Sequence, residues 1–382
     1  MKIGFCTWFN INDKNAWSGT QYPMLKALEK HCGEIISLVP EHNKFLILGK
    51  MLNKLAKIFL HKRFHYFHAP FITKEFAKSI KKQIKKIKPD ILFAISHGVL
   101  LNDLDCDIPI IYYSDVTSKL LVNYYSDFSN LLPITEKWYH QVDQNIMDKS
   151  AIVFFSSEWA AKSAINDYGC TKEKVYVIPL GANIENIPER SKILNRRNKD
   201  RTILRLLFSG SDWERKGGDI AIETMEELNR RGIPTELTLL TGIAPPHHKK
   251  KPKINIVGHL NKENHEQALK MHKIFMDASI FILPTRKDCS PTVLCEAAAY
   301  GLPAVSTDVG GISSYIKNKI TGRLLPLEAN FKEYADVIEE IWNNKNIYVN
   351  LCENARSKFE RELNWDSWGQ KFYNIINKTN IC

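Results

Sequence analysis

The chain contains no C-x-x-C pair, although it has eight cysteines. They stand apart at positions 6, 32, 106, 170, 289, 295, 352 and 382, which argues against a zinc cluster or a thioredoxin-like motif. Scattered thiols in a chain of 382 residues point to a reducing, cytoplasmic setting. No apolar run approaches the length of about eighteen residues that a membrane-spanning helix needs. The start, Lys2 to Trp8, turns polar too soon for a signal peptide and reads as a first buried strand. No Gly-x-Gly-x-x-Gly follows that strand, which argues against a nucleotide-dependent dehydrogenase. The histidines show no metal-ligand spacing with cysteines or acids, so neither metal nor cofactor is expected. Acidic residues are almost missing from residues 44–88, which hold thirteen Lys/Arg and one acid, Glu75. The whole chain carries a net charge of +11, so this one segment holds its basic excess and the rest is close to neutral. An anionic partner for that segment follows from the charge alone.

What is present is an alternation of short apolar runs and helical patterns. Strands are expected at Ile3–Trp8, Ile35–Val39, Ile91–Ile95, Ile110–Tyr113, Ile152–Phe155 and Val175–Ile178. Helices are expected over 20–31, 74–87, 135–149 and 158–168. A second series has strands at Leu204–Ser209, Leu237–Thr241, Ile254–Val257, Ile280–Leu283 and Ala304–Ser306. Its helices are expected over 218–231, 263–276, 292–300, 331–344 and 346–361. This alternation predicts the α/β class with mostly parallel sheets covered on both faces. Two doubly wound, Rossmann-like domains facing a central cleft are the expected architecture. The expected division is a first domain over 1–183, a polar linker over 184–202, a second domain over 203–362, and a last amphipathic helix over 363–382 packing back on the first domain.

Two loops carry candidate chemistry. Asp288-Cys-Ser-Pro-Thr-Val-Leu-Cys-Glu296 follows an apolar run that ends at Pro284, and opens a helix stopped by Gly301 and Pro303. Asp288 falls in the loop and Glu296 about one turn inside the helix. Between them, Ser290 lies in the turn, and the backbone N–H groups of Thr292 and Val293 open the helix. A helix N-terminus beyond the carboxyl end of a strand is an anion site. N–H groups that hold phosphate, flanked by carboxylates that hold hydroxyls, suit a phosphorylated sugar. The second loop, Ser209-Gly-Ser-Asp-Trp-Glu-Arg215-Lys216-Gly217-Gly218, sets two cations beside glycines at the mouth of another helix, which suits a diphosphate.

These pieces resemble the retaining nucleotide-sugar glycosyltransferases of the GT-B fold, the group 1 enzymes of glycosyltransferase family 4. The resemblance rests on Gly210–Gly217, Pro284-Thr-Arg-Lys-Asp288, Glu296-Ala, Gly301-Leu-Pro303 and Thr307-Asp-Val-Gly-Gly311. It extends to Ser156-Ser-Glu-Trp-Ala-Ala161 and Val177-Ile-Pro-Leu-Gly-Ala-Asn183. It implies that Glu296 binds the ribose hydroxyls of the donor nucleotide and that Asp288 holds hydroxyls of the transferred sugar near the anomeric carbon. Thr292, Val293 and Lys216 would hold the diphosphate, with Gly19 in the turn after the first strand near the diphosphate and acceptor. Three departures stand out. The family has Glu where this chain has Asp288. Ser211 replaces an Arg, for which Arg215 is the substitute cation. Asp115 replaces a His after the fourth strand, so either Asp115 or His97 orients the acceptor. His259, at a strand end in the second domain, is either a nucleobase contact or a turn residue.

The expected function is sugar transfer from a nucleotide-diphosphate donor, of UDP or GDP type, to an acceptor hydroxyl in cell-envelope glycan or glycolipid assembly. The alternatives are a nucleotide-sugar epimerase or hydrolase on the same fold, or a basic lipid- or nucleic-acid-binding module without chemistry. Nucleic acid is not the expected partner. Residues 44–88 interleave lysines with apolar residues at helical spacing, and predict peripheral attachment to an anionic membrane on its cytoplasmic face.

Overall fold

The computed structural model describes residues 1–41, 43–96, 98–199, 202–242 and 253–379. The chain divides into two units, one of Met1–Ile178 with Trp368–Cys382 and the other of Pro179–Ser367. The division falls after Ile178, upstream of the expected 184–202 linker. That stretch is not a bare connection. It contains a helix, Arg190–Asn198, whose Ile193 and Arg197 are buried.

The first unit is built on six parallel strands: β1 (Lys2–Cys6), β2 (Glu34–Leu38), β3 (Ile91–Ile95), β4 (Ile110–Ser114), β5 (Ser150–Phe155) and β6 (Val175–Val177). Their order is β2-β1-β3-β4-β5-β6. β3 and β4 are buried at every residue, as continuous apolar runs in a doubly covered sheet should be. Winding starts at β1, goes out to β2, then reverses to β3. The switch between β1 and β3 is where a sheet of this kind offers a crevice at its carboxyl edge. The chain's last helix, Trp365–Lys378, enters this unit at Trp368. Trp368, Phe372 and Ile376 recur every fourth residue and are fully buried. Phe372 meets Phe93 of β3 with centroids 5.2 Å apart, and Trp368 meets Tyr113 of β4 at 5.6 Å.

The second unit repeats the plan with β7 (Leu204–Ser209), β8 (Thr235–Leu240), β9 (Ile254–Ile256), β10 (Ile280–Leu283), β11 (Ala304–Thr307) and β12 (Gly322–Leu325). All pairs are parallel, in the order β12-β11-β10-β7-β8-β9. β12 was not anticipated: it is four residues long, opens on glycine and lies at the sheet edge. Here the winding reverses between β7 and β10. The loops after these two strands are the two that the sequence marks as carrying chemistry.

Candidate functional site

The loop after β7 is shaped by its polar residues. Asp212 accepts a hydrogen bond from the Arg215 backbone N–H at 3.1 Å and so caps the single turn Trp213–Lys216. Gly217 ends that turn at φ +75°, and a Cβ there would lie 2.1 Å from the carbonyl oxygen of Pro284. Only glycine satisfies both demands, and it lets the loop after β7 press on the backbone leaving β10. Two bonds fasten the contact: the Arg286 N–H donates to Arg215 O at 2.7 Å, and the Thr285 hydroxyl donates to the same oxygen at 3.0 Å.

This fastening divides the two cations. The Arg215 guanidinium donates to Asp212 Oδ2 at 2.9 Å and to Lys287 O at 3.0 Å. Its visible work is to tie the two loops together. Lys216 points inward, is 9% exposed, and places Nζ 2.5 Å from Asp288 Oδ2. Asp288 is itself buried, and its backbone oxygen accepts from the Gly311 N–H at 3.0 Å. The loop after β11 therefore joins the site as a third wall. A buried cation and a buried carboxylate compensate each other here; removal of either would leave its partner uncompensated.

Glu296 lies one turn into the helix Thr292–Ala299 and is buried. Its Oε1 pairs with Lys262 Nζ. Lys262, which stands 34 residues away on a polar stretch, is not among the residues expected from sequence. The available signal was positional: Lys262 follows Gly258 beyond the carboxyl end of β9, on the same edge of the sheet as the other loops. Pro291 precedes the helix, no side chain caps it, and no acid lies in its first turn. The positive end of the helix, with Thr292 and Val293, thus stays available to an anion. Ser290 is half-buried in the turn before it. His259 is exposed past β9.

The structure therefore gathers Lys216, Asp288, Ser290, Thr292, Val293 and Glu296 at one switch point, with Arg215 as a fastener and Lys262 as an addition. The remaining candidates lie in the first unit. Gly19 follows β1 at φ +79°, behind Trp17 at +49° and Ser18 at +56°. Left-handed backbone at Trp and Ser is strained by roughly 1–3 kcal/mol each, the kind of strain that folds keep at functional loops. Asp115 follows β4 and is half-buried. Its loop is fixed from both sides: the Ser118 N–H donates to Asp143 Oδ2 at 2.5 Å, and Thr117 and Ser163 hydroxyls meet at 2.6 Å. Burial pushes the Asp143 carboxyl up to about 6, against the lowering pull of the Ser118 hydrogen bonds. His97 lies outside the described residues. Among the described residues no group of three or more His, Cys, Asp or Glu could hold a metal ion.

Residues 204–344 match the family model of the group 1 glycosyl transferases. The chain is 28% identical over 206 residues to the amylovoran biosynthesis glycosyltransferase AmsK of Erwinia amylovora, covering 51% of this chain and 49% of AmsK. It is 23% identical over 221 residues to the putative colanic acid biosynthesis glycosyltransferase WcaL of Escherichia coli K12, covering 56% and 49%. The chain spans about half the length of these curated relatives. In fold it is similar to Alr3699/HepE of Anabaena, crystallised with UDP and glucose: TM-score 0.63 at 13% identity, covering 99% of this chain and 100% of that one. The second unit thus carries the match to the group 1 glycosyl transferase model, and the two parallel six-stranded sheets share the GT-B fold of that neighbour.

Proposed function

We propose that this chain transfers a sugar from a nucleotide-diphosphate donor to an acceptor hydroxyl with retention of configuration, as family 4 enzymes do. The observation that carries this reading is the grouping at the second switch point. There a buried Lys216–Asp288 pair and a buried Glu296 flank a helix N-terminus that no side chain caps. Breaking an anomeric C–O bond puts negative charge on the departing diphosphate and positive charge on the sugar ring. Lys216 and the N–H groups of Thr292 and Val293 oppose the first charge. Asp288 opposes the second. The acceptor hydroxyl attacks from the face the diphosphate leaves, and a diphosphate oxygen takes its proton, so the transfer needs no metal. HepE's UDP makes uridine diphosphate sugars the first donors to try. AmsK and WcaL, named for amylovoran and colanic acid biosynthesis, point to a cell-envelope glycan or its lipid-linked precursor as acceptor. Such an acceptor suits peripheral attachment to the inner face of the membrane through residues 44–88.

The test is a panel of nucleotide sugars, first by thermal shift and then by product analysis with glycan acceptors and a chelator present. A donor that binds only the folded state raises the unfolding midpoint by mass action. Asp288→Asn should lower kcat by at least about tenfold while nucleotide affinity stays near wild type, because its role is at the sugar. Loss of nucleotide binding in Asp288→Asn would overturn that division of roles. Lys262→Met should do the opposite: a several-fold weaker donor KM with kcat little changed, since Lys262 only steadies the carboxylate meant for the ribose. Hydrolysis or epimerisation of the donor, unaffected by any acceptor, would overturn the transferase reading.

A further inference from the structure

The basic segment consists of two helices that the structure treats differently. In helix Pro70–Ile87 the residues Ile72, Phe76, Ile80 and Ile84 are buried in the core of the first unit. Three of its six lysines meet acids: Lys78 with Glu75 at 2.6 Å, Lys82 with Glu41 at 3.0 Å and Lys81 with Asp105 at 3.3 Å. That is an ordinary solvated helix face.

Helix Phe45–Phe59 is inverted by comparison. Phe45 and Leu46 in its first turn pack on the core, but beyond them its inward side is small: Gly49 and Ala56 are buried, and a Cβ on Gly49 would come within 2.4 Å of the Tyr66 ring. Asn53 Oδ1 accepts from the Phe64 N–H at 3.0 Å and fastens the same side. The large apolar residues from Ile47 onward point away from the protein. Ile47 is 61% exposed, Met51 59%, Leu55 47%, Ile58 54% and Phe59 73%. At 3.6 residues per turn, the outward apolar residues Ile47 to Phe59 cover an arc of about 140°. Lys50, Lys54 and Lys57 form a ridge along one border of that arc. The arc continues past the helix into an apolar groove formed with Leu60, Phe64 and Leu132. No acidic residue occurs from Lys44 to Lys74.

An exposed apolar arc of this breadth marks an interaction surface. Charge decides the occupant. A second copy of the chain, docked by a two-fold axis, would bring the same acid-free lysine ridge against itself. An anionic bilayer offers acyl chains for the arc and phosphates for the ridge at the same depth. Among the described residues no helix is long and apolar enough to cross a membrane, so contact through this helix would be with the surface layer. Resting on the peripheral attachment proposed above, we infer that helix Phe45–Phe59 is its inserting element, with Met51, Leu55, Ile58 and Phe59 in the acyl boundary and Lys50, Lys54 and Lys57 on lipid phosphates. Helix Pro70–Ile87 contributes field but not insertion.

The experiment is flotation of the full chain with vesicles of phosphatidylcholine alone and of phosphatidylcholine mixed with phosphatidylglycerol. Wild type should float with the mixed vesicles only, and less at high salt. Ile58→Ser with Phe59→Ser should weaken partition at least about tenfold even at low salt. Lys50→Gln, Lys54→Gln and Lys57→Gln together should weaken it by roughly 100-fold and remove most of the salt dependence. Lys78→Gln with Lys82→Gln should stay within about threefold of wild type. All these side chains face solvent, so unfolding midpoints should match wild type and separate lost binding from lost fold. Wild type that floats with neither vesicle overturns peripheral attachment itself, and a dimer dissolved by the Ile58/Phe59 change would then identify a second copy as the occupant. Wild type that floats, with binding lost in the Lys78/Lys82 variant and kept in the Ile58/Phe59 variant, overturns only the assignment to this helix.

Discussion

Lys216→Met should lower kcat/KM for sugar transfer by roughly 100- to 1000-fold, the usual effect of removing one fixed charge partner from a developing oxyanion. The same change should destabilise the second unit by about 3–5 kcal/mol, because it leaves Asp288 as a buried carboxylate with its cation gone. The two effects can be separated. Adding Asp288→Asn removes the orphaned charge, so the double variant should regain much of the lost stability. It should regain no activity, since both charge-handling groups are then absent. Calorimetry gives the first readout and initial rates give the second. Activity of Lys216→Met within a few-fold of wild type would sink the diphosphate role. A double variant that recovers activity along with stability would show that Lys216 serves only the fold. Lys216 is a sharper target than Arg215, whose guanidinium is already engaged with Asp212 and with Lys287 O.

The parts of this site that could be read from the sequence share one property: their signals are local. β10 is an unbroken apolar run between Ser279 and Pro284, and the helix after it is closed by Gly301. The spacing from Asp288 to Glu296 follows from those bounds alone. The glycines of the loop after β7 sit beside the two cations, so the loop was also visible. What was hidden depends on long-range side-chain reach. Lys262 finds Glu296 across three strands' worth of sheet edge, and no periodicity records such a pairing. The helix Phe45–Phe59 shows the opposite failure. Its spacing was legible, but spacing does not say which face turns inward. Gly49 decides that, because only glycine fits against the Tyr66 ring. A short strand such as β12, half-exposed and at an edge, carries too few apolar residues to rise above its surroundings.

The helix Arg190–Asn198 lies where a linker is expected, and it carries a large expected effect on stability. Its composition is that of a linker, with Ile193 as its buried apolar residue. What anchors it is polar. Arg197 is 3% exposed and donates from Nε to Tyr300 O at 3.1 Å, from Nη2 to Phe275 O at 2.8 Å, and from Nη1 to Ala278 O. These oxygens lie at the carboxyl ends of two helices, His265–Asp277 and Thr292–Ala299. One guanidinium thus satisfies the final carbonyls of both and sits at the negative end of both dipoles. The second of these helices carries Glu296, so the supposed linker supports the site from behind. Arg197→Met keeps the length of the stem but strands three buried carbonyls. Each orphaned acceptor costs about 1–3 kcal/mol, so the loss should be at least about 3 kcal/mol. For a unit of this size that lowers the unfolding midpoint by roughly 6–12 °C. The control is one residue away. Arg196 pairs with Asp277 at 2.8 Å on the surface, where both side chains are about two-fifths exposed, so Arg196→Met should cost under about 1 kcal/mol. Equal, small shifts for Arg196→Met and Arg197→Met would mean that residues 190–198 hang on the second unit as a connection only, and that the helix carrying Glu296 closes its own carboxyl end.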